Sequence, residues 1–150
     1  MAPEPLPYVA GTVRRYLKER PEFMELLHGG RITTRNLPDP LRKPHCLVAV
    51  TGHVGDSPFL RRLIVQVTPW APERDVSGID EDPDVTVWKA AAMAGELLGR
   101  AKNIVVDELN AFNATWLDVD GPVQLFDEGR GQDRPLFYAP VRFQVHLRHR

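Results

Sequence analysis

Over residues 8–27 apolar side chains recur at three- and four-residue steps: Val9, Val13, Tyr16, Leu17, Phe23 and Leu27, with Arg14, Arg15, Lys18 and Glu19 between them. That spacing predicts a helix with one buried stripe. Pro21 breaks the helix and predicts a second short one, which His28-Gly29-Gly30 ends. Residues 31–35 are β-prone, and a proline-punctuated connection, 36–44, follows. The apolar run 45–51 predicts a buried strand. After a Gly/Asp/Ser/Pro turn over 52–58, residues 61–68 alternate, with Leu63, Val65 and Val67 on one face. The two strands read as a hairpin that Pro69-Trp-Ala-Pro then leaves.

Residues 73–84 hold six acids against one arginine and read as a solvated loop. Asp84 reads as the N-cap of a helix over 85–101, whose only charges are Lys89, Glu96 and Arg100. So little polar surface predicts a helix covered on more than one side, by its own sheet and by a neighbour. Residues 104–109 and 114–119 are strand candidates, Asp120-Gly-Pro a turn, and 127–134 a polar loop. At the end Val141, Phe143, Val145 and Leu147 alternate strictly with Arg142, Gln144, His146 and Arg148, giving one buried and one wet face. The order predicts a single α+β domain over 1–150. It would be a two-layer sandwich with a mostly antiparallel, mixed sheet and two main helices packed on one face.

Composition changes this picture little. The chain has 150 residues, 43% hydrophobic and 26% charged, which excludes a disordered chain, a coiled coil and a collagen. No apolar run approaches the roughly 18 residues that span a bilayer. The start lacks the basic and apolar regions of a secretory signal. One cysteine excludes an internal disulfide. Charge is uneven: residues 1–62 carry ten Lys/Arg against six Asp/Glu, 63–133 carry five against 14, and 134–150 carry four against none. Opposite charges on opposite edges suit self-association or docking.

Candidate chemistry is sparse. His28, His45, His53, His146 and His149 have no zinc-like spacing, and 80–84 lacks the glycine and late glutamate of a calcium loop. Cys46 reads as a core thiol, and His45, its neighbour on a strand, faces the other way. Ser57 and Ser77 lack a nucleophile elbow, and Asp118 and Asp120 read as turn chemistry. Residues 51–55 are too short for a phosphate loop. The basic residues of 14–62 lack the interleaved aromatics of a stacking platform. Trp70, flanked by prolines, is the most exposed-looking aromatic, suited to capping the core or anchoring a partner. These features favour a structural or interaction protein over an enzyme.

Several stretches, in order, resemble the tail terminator (tail completion) proteins of long-tailed, lambda-like bacteriophages. They are the helix ending at Leu27-His-Gly-Gly, Arg31-Ile-Thr-Thr-Arg-Asn-Leu-Pro, a proline-rich lead into residues 46–50, a polar hairpin into Leu63-Ile-Val-Gln-Val-Thr-Pro-Trp-Ala-Pro, the Ala/Leu-rich helix over 88–98, and the alternating strand over 141–147. The resemblance covers nearly the whole chain. It implies a virion protein, assembled in the host cytoplasm, that forms a hexameric ring at the head-proximal end of the tail tube. Such a ring stops tube polymerisation and meets the neck (head-completion) proteins. DNA passes through its lumen without sequence-specific binding. No catalysis, cofactor, metal or membrane is implied. The chain departs from the family over 73–84. Subunit or partner contacts are expected at Trp70, Glu73, Asp75, Asp80, Glu81, Asp82, Asp127, Glu128, Arg130 and Arg134, and lumen lining at Arg31, Arg35, Arg61 and Arg62. A neck stopper or adaptor ring is the alternative reading, and a small α+β ligand-binding or enzymatic domain a more remote one.

Overall fold

The structure, a computed structural model, describes residues 5–54, 61–117, 122–127 and 135–150, without the side chain of Val54. The first helical pattern folds as α1 (Val9–Lys18) and α2 (Pro21–Met24), followed by a 3-10 turn, Glu25–Leu27. Val9, Val13 and Leu17 are buried on one stripe of α1, as their spacing requires. His28 (φ 49°) and Gly29 (φ 85°) take the left-handed conformation that ends the helix. At Gly30 a Cβ would sit 1.7 Å from the Pro44 carbonyl oxygen, so only glycine lets the two backbones pass.

The strands are β1 (Arg31–Thr33), β2 (His45–Val54), β3 (Arg61–Pro72), β4 (Ile104–Val105), β5 (Asn110–Trp116), β6 (Leu125–Asp127), β7 (Leu136–Tyr138) and β8 (Val141–His149). They form one sheet in the order β1-β2-β3-β8-β5-β4, with β7 also beside β3 and β6 beside β7. Among the described residues only β1 and β2 pair in parallel. The expected mixed, mostly antiparallel sheet is present. Two short helical segments accompany the long ones: α2 and α3 (Arg74–Ser77). The second long helix is α4 (Pro83–Leu98). α1 lies over β2, and α4 over β3, β7 and β8. Both bury their apolar faces on one face of the sheet, against Cys46, Val48, Leu63, Val65, Val67, Phe143 and Val145.

Several expected boundaries move. β3 does not stop at residue 68 but runs to Pro72. Its tolerance of Pro69 has a geometric reason. The pairing of β3 with β8 ends at Val67, that with β7 begins at Trp70, and the Pro69 carbonyl accepts from Ala139 N. The missing N–H therefore faces the junction between two ladders, where no partner is lost. α4 starts earlier than expected, with Asp82 as N-cap and Pro83 in the first turn, where proline's fixed φ fits; Asp84 lies inside the helix. The strand expected over 104–109 stops at Val105. Asp107 makes a turn instead, its carboxylate accepting from the N–H groups of Leu109 and Asn110 at 2.9 and 2.8 Å. β5 consequently begins at Asn110, before the expected 114, and ends at Trp116. β6 and β7 were not foreseen. The turn around 55–58 and the aspartates 118 and 120 lie outside the described residues.

The other face of the sheet carries a smaller core at one end, where Leu37 and Leu41 of the proline-punctuated connection cover Trp70 and Leu136. Neither long helix lies on that face.

Candidate interaction surfaces

The acidic segment is solvent-exposed over much of its length, with Asp75, Asp80 and Asp82 exposed, and is tied down at a few points. The chain turns through α3, and the Arg74 guanidinium pairs with both Asp80 and Asp82. Glu81 accepts from Lys89 Nζ and Thr86 Oγ1 at 2.7 Å each and pairs with His28 Nε2 at 3.3 Å. The Lys89 ammonium and these hydrogen bonds hold the Glu81 carboxyl down to about 2, against an opposing push from partial burial. Glu81 thus pins the segment to α4 and to the end of the 3-10 turn. Glu73 precedes α3 and its carbonyl accepts from Val76 and Ser77, while Asp75 is exposed in the first turn.

Of the two roles open to Trp70, the structure shows core capping. Its ring is 7% exposed and stacks on Tyr138, with centroids 4.2 Å apart and planes 15° from parallel. The expectation that it is the most exposed aromatic is overturned. The β3–β7 ladder sets Trp70 opposite Tyr138, and Leu37 and Leu41 close over them. Of the contacts expected around 127–134, Asp127 ends β6, while Glu128, Arg130 and Arg134 lie outside the described residues.

The four arginines expected to line a lumen do not converge. Arg31 pairs with His45 at the start of β2, and Arg62 with Val54 at its end. Nine residues of strand separate these rows by roughly 30 Å. Arg35 is exposed just beyond β1. Arg61 and Arg62 instead neighbour β8, opposite Leu147 and His146. Register puts Arg62, Gln66, Arg142, Gln144, His146 and Arg148 together on the helix-free face.

A third surface was not named from sequence. On the outer side of α4, Val85 and Trp88 are 37% and 43% exposed. The Gln124 amide donates to the Asp84 carbonyl at 2.8 Å, which holds the lead into β6 against the start of α4. That lead and strand add Val123 and Phe126, 46% and 49% exposed, and Phe126 meets Phe137 edge-on at 5.1 Å. Grouped exposed apolar side chains of this size mark contact surfaces more often than isolated ones do. The signal was legible as the shortage of polar residues on α4, but the arrival of β6 beside it was not.

Potential nucleophiles are placed elsewhere. Cys46 is fully buried, which pushes its thiol up, out of the reactive range. His45, on the opposite face, bonds Thr33 Oγ1 at 2.8 Å, and burial with the nearby Arg31 charge lowers its pKa. Among the described residues no three His, Cys, Asp or Glu side chains gather as a metal site, and no helix is long and apolar enough to cross a membrane. No protein-family model matches the chain, and no curated protein matches it.

Proposed function

We propose that the chain is a structural subunit of a long-tailed phage virion, a tail terminator whose copies close into a ring on the head-proximal end of the tail tube. The observation that carries this reading is the exposed apolar surface of Val85, Trp88, Val123 and Phe126 on a molecule whose core is already filled. An isolated subunit gains nothing from leaving these side chains in water, whereas a neighbouring subunit would bury them. The α+β architecture and the ordered resemblance along the chain support the same reading. Closed rings need two different complementary patches, and the apolar surface beside a net acidic segment supplies one of them. The partners are then further copies of the chain (six in the ring), the tail tube protein and a neck protein.

Negative-stain microscopy of the protein mixed with purified tail tubes tests this. Rings capping one tube end are expected, and Trp88→Ser with Phe126→Ser should abolish the caps while leaving the fold. Bare tubes, with the protein bound to portal-containing heads, would move the chain to the neck. Binding to neither would overturn the reading.

A further inference from the structure

One end of the helix-free face is covered by a strap, the connection 36–44 between β1 and β2. Leu37 and Leu41 close it over Trp70 and Leu136, while Asn36, Pro38, Asp39, Pro40, Arg42 and Lys43 are exposed. Among the described residues no hydrogen bond or ion pair holds 36–43. Two leucines therefore carry most of its attachment, and a segment held by so few buried contacts opens at low cost. At the foot of the strap, next to Pro44, stands His45. Strand pairing sets Arg31, His45, Trp70 and Tyr138 in one row across β1, β2, β3 and β7. Directly opposite residues share a face, so His45 lies between the Arg31 position and the stacked Trp70–Tyr138 pair.

The surroundings of His45 suit a neutral ring. It is 5% exposed, and its Nε2 is 2.8 Å from Thr33 Oγ1. The charged group facing it from β1 is Arg31, a cation. From β3 and β7 come Trp70 and Tyr138, uncharged at neutral pH. The strap's own charges, Asp39, Arg42 and Lys43, point into solvent. Cys46, next on β2, is fully buried on the other face. No ion pair among the described residues includes His45, so no carboxylate there balances a second proton. A cation formed here would be desolvated beside another cation, and hydration through a lifted strap relieves both costs.

We propose that His45 is an acid-operated catch for this strap: proton uptake releases residues 36–44 from Trp70 and Tyr138 and leaves the rest of the sheet in place. Burial, and after it the Arg31 charge, hold the closed imidazole below its ordinary value of 6.5. The open form therefore binds the proton better, so closure is complete above about pH 6.5 and weakens as pH falls below it. The Glu81 tether responds at more acid pH, below its ordinary 4.5, so the two are separable. The catch belongs to the single chain and does not depend on the proposed function.

The test is acrylamide quenching of tryptophan fluorescence against pH, in a Trp88→Phe chain. That change removes the exposed ring, and Trp116, held against Gly95 under the helices, leaves a constant background. Quenching of Trp70 should rise as pH falls from 7 to 5, with the circular dichroism of the helices unchanged. His45→Gln keeps an amide to meet Thr33 but cannot titrate there, and the rise should be lost. Arg31 is exposed, so Arg31→Gln should fold even if the histidine variant does not. It removes the repulsion, and the rise should be smaller at every pH. A flat profile in the parent chain overturns the proposal. So does a rise that persists in His45→Gln, or one equal in Arg31→Gln and the parent. A rise that comes with loss of the helical signal also overturns it, because the whole chain would then be unfolding.

Discussion

The two faces of the sheet are built from the same strands and behave as different materials. On the helix side Val65, Val67, Phe143 and Val145 are at most 1% exposed, and α1 and α4 close over them. On the other side Arg142, Gln144 and His146 are only partly covered, and Arg148 is exposed. Alternation along β8 writes both faces at once, because successive side chains point opposite ways. Burial is therefore concentrated on the helix side, with only the smaller core of Leu37, Leu41, Trp70 and Leu136 at one end of the other face. The apolar surface of α4 and β6 is the exception, lying at the outer edge of the helix layer without a cover among the described residues.

The largest loss should come from truncating the buried side of β8. Phe143→Ala should cost about 3–5 kcal/mol by denaturant titration, since a fully buried ring leaves a cavity. If it cost less than about 1 kcal/mol, the helix side would not be the core. Adding atoms there should also be harmful. At Gly95 a Cβ would stand 2.6 Å from the Trp116 ring, so the overpacking caused by Gly95→Ala should outweigh the helix propensity gained, for a net loss of about 1 kcal/mol. An unchanged melting point would show that Trp116 can move aside.

The next effect is smaller and fades in acid. The folded Glu81 carboxyl, at about 2, lies below its ordinary value of 4.5. Its contribution is fully present above roughly pH 4.5 and is lost as pH falls toward 2. Glu81→Gln should flatten the acid side of the stability–pH curve within that window, and at pH 7 the exchange should cost about 0.2–1 kcal/mol. An identical acid profile in the variant would mean that the tether carries no stability. The smallest effect belongs to the open face, where Gln144→Ala should fall within about 0.5 kcal/mol of zero.

Legibility from sequence followed the strength of the local pattern. The alternation in β8 fixed both of its faces, the three- and four-residue steps placed α1, and Pro21 and His28-Gly29-Gly30 marked its breaks. The layered α+β architecture followed from the order of those elements. Where the local signal and the tertiary pairing disagreed, pairing won. Pro69 read as a strand end, but two ladders meet there and the strand continues. Three-residue strands such as β6 and β7 carry too little pattern to be seen at all.

The surfaces were harder to read than the fold. Of the six acids in 73–84, Glu81 departs most from a solvated reading, because its partners His28 and Lys89 come from other elements, one of them far away in sequence. Trp70 looked exposed because its cover, Leu37 and Leu41, arrives from a connection with no periodicity. Arg31 and Arg62 looked like one patch until the register of β2 separated them.

The central claim, that the exposed apolar surface of α4 and β6 is where the protein docks, is tested most directly by co-sedimentation with purified tail tubes. The wild type should pellet with the tubes, and Trp88→Ser with Phe126→Ser, folded by circular dichroism, should stay in the supernatant. Equal pelleting of the two would contradict the account.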